Sequence, residues 1–116
     1  MHDPAAIPVM IIDDEPHLRI TAGQTLELAG YAPAPYSGAE EALAALAPDF
    51  PGVVVSDIRM PGMDGMALLR EVRQRDPGLP VILITGHGDI STAVEAMREG
   101  AWDFLEKPFA AERLVE

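Results

Sequence analysis

The sequence is poor in several residue types that would point to particular classes of protein. It has no cysteine, which excludes a disulfide framework and a thiolate metal site and leaves the redox compartment open. Its 8 lysines and arginines stand against 19 aspartates and glutamates, and a net charge of −11 disfavours direct binding to nucleic acid or to an anionic membrane surface. No apolar run approaches the roughly 20 residues of a membrane span, and the first residues lack the features of a signal peptide. We therefore expect a soluble, cytoplasmic protein.

The chain has 116 residues, 48% of them apolar, which suffices for one domain with one core. Five short runs rich in valine, isoleucine or aromatic residues alternate with helical patterns and predict a βα unit repeated five times. They are Val9 to Asp13, Tyr31 to Tyr36, Val53 to Asp57, Val81 to Thr85 and Trp102 to Glu106. Pro33 and Pro35 lack N–H groups on the same side of the second strand, which only an edge strand tolerates. The expected fold is therefore α/β, a flavodoxin-like (βα)5 three-layer sandwich with parallel sheet order 2-1-3-4-5.

Apolar residues recur at helical spacing between the strands. In the first and fourth helices they form one stripe each, followed by Gly30 and Gly100 as terminators: Leu18, Ala22, Leu26 and Ala29, and then Ile90, Ala93, Val94 and Met97. Ser37, three residues before Glu40, fits a capping box and is expected to cap the second helix. The third helix is expected from about Gly65 to Arg75.

Acidic residues follow two of the predicted strands at the same edge of the sheet. Asp13 and Asp14 end the first run and Asp57 ends the third, and the predicted strand order makes these two strands neighbours. An acidic pair at a strand-to-helix junction is by itself an ordinary turn or helix cap. Two carboxylates about 4 Å apart, however, repel each other by roughly 4 kcal/mol at an effective dielectric constant near 20, so three together need a cation. The sequence therefore predicts an acidic pocket for a hard divalent ion.

Two further polar side chains follow strands at this edge. Thr85 ends the fourth run and Lys107 follows the fifth, so a hydroxyl and an ammonium group face the acids. Neither residue would indicate a site alone, because threonine is common at strand ends and lysine on surfaces. Together the five side chains supply what phosphoryl transfer needs: ligands for a divalent cation, a carboxylate nucleophile and groups that neutralise phosphoryl oxygens.

Four stretches together resemble the response-regulator receiver domain, over essentially the whole chain. They are Asp13-Asp14, Ser56 to Gly65, Thr85-Gly86 and Lys107-Pro108-Phe109. The resemblance implies that Asp57 accepts a phosphoryl group from the phosphohistidine of a sensor histidine kinase. It implies a signalling domain rather than an enzyme, with at most slow self-phosphotransfer and autodephosphorylation.

The resemblance also implies how the pocket holds its ion. Asp14, Asp57 and the backbone carbonyl of Arg59 would bind Mg²⁺, and Asp13 would orient a metal-bound water. Arg59 and His87 correspond to positions that flank the path of the hydrolytic water in receivers, so we expect them to tune the lifetime of the phosphoryl group. A single histidine in a glycine-flanked loop is more often merely exposed.

The switching residues follow from the same resemblance. Thr85 would hydrogen-bond the phosphoryl oxygens and Lys107 would pair with them. Phe104 matches the switch aromatic of the family, but it lacks the hydroxyl of receivers that carry tyrosine there, so its ring can signal by burial and not by a phenolic hydrogen bond. The changed surface would be that of helix four, strand five and helix five, through which we expect a homodimer.

Within the family, the chain is similar to regulators of the nitrogen-regulatory class. The similarity lies in Ser56 to Gly65 and Thr85 to Ile90, and Gln24 to Gly30 with Lys107 to Leu114 resembles the C4-dicarboxylate transport regulators in particular. Receivers of this class precede a sigma-54-activating ATPase and a DNA-binding domain. We therefore expect residues 1–116 to form one receiver domain, its last helix cut short, in a parent chain that continues into those domains.

Three alternatives differ in class. A magnesium-dependent phosphatase of the haloacid-dehalogenase type would need a second acid two residues after its nucleophile, where this chain has Arg59. A flavodoxin-like nucleotide or flavin binder would need a phosphate-binding loop after the first strand, where Asp13, Asp14 and Glu15 would repel a phosphate. A receiver with a different or non-transcriptional output stays open.

Overall fold

Strands and helices alternate along the chain, as the repeated βα pattern predicts. The computed structural model describes residues 7–85 and 90–106. Its elements are β1 (Pro8–Ile12), α1 (Pro16–Leu28), β2 (Ala32–Tyr36), α2 (Ala39–Ala45), β3 (Val53–Asp57), α3 (Gly65–Arg75), β4 (Val81–Thr85), α4 (Ile90–Arg98) and β5 (Asp103–Glu106). Each strand lies within one residue of its predicted bounds, and α3 has the predicted bounds.

The five strands form one parallel sheet of order β2-β1-β3-β4-β5, which confirms the predicted topology. The two strands that precede the acids are neighbours, with Ile12 of β1 paired to Ser56 of β3. Asp13 and Asp57 each come one residue after this pair. Since the strands are parallel, the two acids leave the sheet at the same edge.

The position of β2 at the sheet edge explains its two prolines. Ala32 donates its N–H to the carbonyl of Ile7 at 3.0 Å, and the carbonyl of Tyr36 accepts from the N–H of Asp13 at 3.1 Å. Residues 32 and 36 therefore direct their backbone groups toward β1, and alternation along the strand places Pro33 and Pro35 on the open side. No ladder hydrogen bond is lost there.

Buried side chains lie on both faces of the sheet because successive strand residues point to opposite sides. Met10 and Ile12 belong to a large cluster that includes buried residues of α2, α3 and α4. Val9 and Ile11 belong to a second cluster that includes Ala22 and Leu26 of α1. The sheet is thus the middle layer of three.

The expected cap of α2 is wrong. Gly38 is the N-cap residue, no side chain caps the helix, and Ser37 is exposed. Glu40, the expected partner in the capping box, instead accepts a hydrogen bond from the N–H of Met63 at 3.4 Å. The carboxylate serves the loop after β3, because that loop lies against the start of α2.

Two residues of the apolar stripe predicted for α4 do not face the core. Val94 is 48% exposed and Met97 49% exposed, whereas Ala96 is fully buried. Ala96 belongs to the large core cluster, and Arg70 of α3 contacts Glu95 and Glu99 on the exposed side of α4. In α1, Ala22 and Leu26 are buried as the stripe predicts, but Ala29 follows the helix and is exposed.

Among the helices of residues 7–85 and 90–106, none combines the length and the apolar character that crossing a membrane requires.

Candidate functional site

The turn between β1 and α1 places one acid inside the protein and the next one outside. Asp13 is 2% exposed, and its Oδ1 accepts a hydrogen bond from the N–H of Glu15 at 2.9 Å. Its carbonyl accepts one from Nη1 of Arg19 at 2.6 Å. Asp14 follows as an exposed residue. The two neighbouring carboxylates therefore reach the same pocket from different depths.

Local sequence explains why the chain turns here. An aspartate whose side chain accepts from the N–H two residues on forms an Asx turn, a common alternative to continued strand. Pro16 is the first residue of α1, a position where the missing N–H costs no helical hydrogen bond. Strand, Asx turn and helix thus follow within four residues of Ile12.

Asp57 ends β3 and is 6% exposed. Its Oδ1 accepts a hydrogen bond from the N–H of Arg59 at 3.3 Å. Its carbonyl accepts another from the hydroxyl of Ser56 at 2.9 Å, and Ser56 is fully buried. These bonds restrict both the carboxylate and the backbone of Asp57.

The first turn of α3 packs directly on Asp57. Gly65 donates its N–H to the carbonyl of Ile58 at 2.8 Å, and a Cβ atom at Gly65 would lie 2.5 Å from the carbonyl oxygen of Asp57. Asp64 caps the helix by accepting from the N–H of Ala67 at 2.9 Å. The loop after β3 is therefore held at the acid where it begins and at the helix where it ends.

The three predicted acids meet. Asp13, Asp14 and Asp57 each offer a carboxylate oxygen, and these oxygens lie within 4.8 Å of one another. All three donors are charged oxygens, the ligands that hard divalent cations prefer, and Mg²⁺ in proteins commonly takes one or two carboxylates and keeps several waters. The exposure of Asp14 leaves room for such waters on the solvent side. The residues present therefore fit a magnesium ion.

The other predicted site residues are placed in part. Arg59 is exposed, and its backbone adjoins the cluster through the bond to Asp57. Thr85 ends β4 opposite Glu106 of β5, at the same sheet edge as the acids, but its side chain is not among those described. His87 and Lys107 lie outside the described residues.

Phe104, the expected switch aromatic, lies in β5 and is paired with Leu83 of β4. Its ring is partly buried and packs against the large core cluster. The ring is therefore neither fully enclosed nor free in solvent.

An ion pair joins α3 to the C-terminal half of α4. Arg70 donates from Nε to Glu99 Oε1 at 2.7 Å and from Nη2 to Glu99 Oε2 at 2.9 Å, and Nη2 also lies 3.2 Å from Glu95 Oε1. These hydrogen bonds to Arg70 hold the pKa of Glu99 below its ordinary value, and the same bonds raise the pKa of Arg70. Because these side chains are largely exposed, the ion pair links the two helices with only a small contribution to stability.

Two residues of the site were not foreseen from the sequence. Ser56 binds the carbonyl of Asp57, and Arg19 binds the carbonyl of Asp13. A signal existed for Arg19: a cation in the first residues of a helix opposes the helix dipole, so its position calls for another explanation.

Comparison with known protein families and known proteins finds response regulators. The family model for the response regulator receiver domain matches residues 9–116. The C4-dicarboxylate transport transcriptional regulatory protein DctD of Rhizobium meliloti is 58% identical over 112 residues, which are 97% of this chain and 24% of that protein. The DNA-binding transcriptional regulator NtrC of Salmonella typhimurium is 46% identical over 107 residues, 92% of this chain and 23% of that protein.

Solved structures similar to this chain are also receiver domains. The receiver domain of NtrX from Brucella abortus has a TM-score of 0.86 at 43% identity and covers 92% of this chain and 91% of its own. A response regulator receiver domain protein from Clostridium thermocellum has a TM-score of 0.88 at 35% identity, and the match covers 93% of this chain and 87% of that one. The chain spans about a quarter of the length of DctD and NtrC.

Proposed function

The chain belongs to the response regulator receiver domain family, and on this premise we propose that Asp57 accepts a phosphoryl group from a sensor histidine kinase in a Mg²⁺-dependent reaction. The observation that carries the proposal is the acidic cluster, in which oxygens of Asp13, Asp14 and Asp57 lie within 4.8 Å of one another. Asp57 is the member that ends a central strand and is nearly buried.

The transfer needs a nucleophile held in place and charge compensation around it. A carboxylate oxygen of Asp57 forms the bond to phosphorus as the bond from phosphorus to the histidine nitrogen breaks, and that nitrogen takes up a proton. The hydrogen bond from Arg59 N to Asp57 Oδ1 limits rotation of the carboxylate before the reaction. Mg²⁺, held by Asp14, Asp57 and the Arg59 carbonyl with Asp13 beside them, would neutralise charge that otherwise repels the incoming group.

The same proposal gives roles to residues whose side chains are not described. Thr85 binds the phosphoryl oxygens, Lys107 pairs with them, and His87 together with Arg59 tunes the lifetime of the phosphoryl group. The chain is a phosphoacceptor and not an enzyme with turnover. Thr85 and Phe104 couple the new charge to the surface of α4 and β5, between two packings that differ by a few kcal/mol.

Exposed apolar side chains on α4 and just before β5 support this surface as the output. Trp102, just before β5, is 72% exposed, and Val94 and Met97 of α4 are about half exposed. Three large apolar side chains in one region favour a protein partner, and a second copy of the chain makes a symmetric dimer.

The relatives suggest what the dimer controls. DctD is named a transcriptional regulatory protein and NtrC a DNA-binding transcriptional regulator, and this chain spans about a quarter of each. We propose a cytoplasmic protein whose further domains act on transcription, with sigma-54-dependent activation as the output. Since the receiver has a net charge of −11, it does not contact DNA itself.

Intact mass spectrometry tests the phosphoacceptor. The chain is incubated with acetyl phosphate and Mg²⁺, with Asp57→Asn as the test variant and Asp49→Asn as its control. Asp49 is an exposed aspartate with a φ of 60°, a conformation that asparagine adopts readily. We expect one added phosphoryl group in the unchanged chain and in Asp49→Asn, and none in Asp57→Asn or when Mg²⁺ is chelated. A gain in Asp57→Asn equal to that of the unchanged chain would contradict the proposal.

Sedimentation of the same samples tests the output surface. Phosphorylation is expected to increase the dimer fraction, and Met97→Lys is expected to abolish the increase. Leu28→Lys is the control, because Leu28 is 91% exposed and lies at the end of α1. Equal dimerisation of both variants would exclude α4 as the interface.

A further inference from the structure

Arg19 makes an unusual contact for a residue near the start of a helix. It is the fourth residue of α1 and is partly buried, and its Nη1 donates to the carbonyl of Asp13 at 2.6 Å. Hydrogen bonds from a charged donor are shorter and roughly twice as strong as those between neutral groups. The bonded carbonyl belongs to the peptide that joins Asp13 to Asp14.

Helix stability does not account for this arginine. A cation near the N-terminus of a helix is disfavoured by the helix dipole. No acidic residue lies in the first turn of α1, and the acidic N-cap residue Glu15 makes no side-chain cap hydrogen bond. The hydrogen bond to the Asp13 carbonyl is the side-chain contact that the structure shows for Arg19.

The contact fixes the geometry of two acids at once. The orientation of a peptide plane determines the directions in which the residues on either side leave it. Asp13 is also held through its side chain, by Glu15 N at 2.9 Å, whereas Asp14 is exposed. For Asp14, the peptide that Arg19 holds is the restraint nearest to the carboxylate.

We propose that Arg19 is a positioning residue for the metal pocket, holding the Asp13–Asp14 peptide so that both carboxylates lie beside Asp57. The inference rests on the proposed binding of Mg²⁺ and adds a residue outside the ligand set. Groups that orient the ligands of a metal commonly change its affinity 10- to 100-fold when they are removed.

The charge of Arg19 and its positioning role predict changes of opposite sign in the affinity for Mg²⁺ when Arg19 is removed. Arg19 brings a positive charge to the turn that carries two of the acids, so its removal should tighten binding of a cation if electrostatics dominate. If Arg19 positions the acids, its removal should weaken binding, since three mutually repelling carboxylates lose the restraint that brings them together. The sign of the change in affinity therefore decides between the two.

Arg75 offers a matched control. It also donates to a backbone carbonyl, that of Leu43 at 3.2 Å, and it ends α3 away from the acids. Arg75→Gln removes the same charge and the same kind of bond as Arg19→Gln, together with an exposed ion pair to Glu71. Arg19→Lys keeps the charge with a different donor.

The test is calorimetric titration of the whole chain with MgCl₂, with thermal unfolding in the absence of Mg²⁺ to show that each variant is folded. We expect the Kd of Arg19→Gln to rise about tenfold, Arg75→Gln to bind like the unchanged chain, and Arg19→Lys to recover part of the affinity. Unchanged or tighter binding by folded Arg19→Gln would overturn the inference and leave the proposed function intact. Absence of Mg²⁺ binding by the unchanged chain would overturn both.

Discussion

Two glycines in helices predict opposite effects of the same substitution. A Cβ atom at Gly65, the first residue of α3, would lie 2.5 Å from the carbonyl oxygen of Asp57 and 2.7 Å from the Cα of Ile58. Both are backbone atoms, and ordinary contact begins near 3.4 Å, so strand and helix must separate by nearly an ångström. At Gly23, inside α1, the nearest atoms would be 3.9 and 4.0 Å away, which is ordinary contact.

The expected magnitudes follow from these distances. Alanine in place of glycine stabilises a helix by about 0.5–1 kcal/mol, and forced overpacking costs about 1–3 kcal/mol. We therefore expect Gly23→Ala to stabilise the domain by about 0.5–1 kcal/mol and Gly65→Ala to destabilise it by about 1–2 kcal/mol. Thermal unfolding should show shifts of opposite sign, about 4 °C per kcal/mol.

The Gly65→Ala variant should also be phosphorylated more slowly, because relief of the clash displaces the backbone of Asp57. Urea denaturation provides an independent measure of both stabilities. Stabilisation by Gly65→Ala equal to that by Gly23→Ala would refute the packing of α3 on the acid.

Two further predictions concern charge and the sheet edge. Because Arg70 lowers the pKa of Glu99, the contribution of this pair to stability is fully present above the ordinary glutamate pKa and is lost as the pH falls through the lowered value. NMR titration should show that the pKa of Glu99 returns upward in Arg70→Gln. An unchanged pKa would exclude the contact. Replacing Pro33 and Pro35 together by alanine restores two N–H donors on the open side of β2, where another chain can pair with the strand. Light scattering should therefore show that the variant self-associates as its concentration rises. A variant that stays monomeric throughout would show that the prolines do not protect this edge.

The sheet and the acidic pocket could be predicted because they depend on short stretches of sequence. Pro33 and Pro35 restrict β2 to an edge, and the flavodoxin-like strand order that fits an edge β2 places β1 beside β3. Once these strands are neighbours and parallel, Asp13 and Asp57 must leave the sheet together. The gathering of the acids thus follows from local patterns and one topological rule.

The remaining features depend on contacts between distant parts of the chain. Ala96 of α4 packs into a core cluster made of side chains from distant strands and helices, while Val94 and Met97 stay half exposed, and helical spacing alone does not show which face turns inward. Glu40 binds the loop after β3 at Met63, 23 residues away, so the capping box that the local sequence predicts does not form. Ser37 therefore does not make the cap hydrogen bond that the local pattern predicts.

The central claim is that Asp57 carries the phosphoryl group, and chemical trapping reads the modified residue directly. Borohydride reduces an aspartyl phosphate to homoserine, so peptide mass spectrometry after treatment with acetyl phosphate, Mg²⁺ and borohydride locates the acceptor. The account predicts homoserine at position 57, dependent on Mg²⁺, with Asp13 and Asp14 unchanged. Homoserine at either neighbouring aspartate, with Asp57 unmodified, would contradict it.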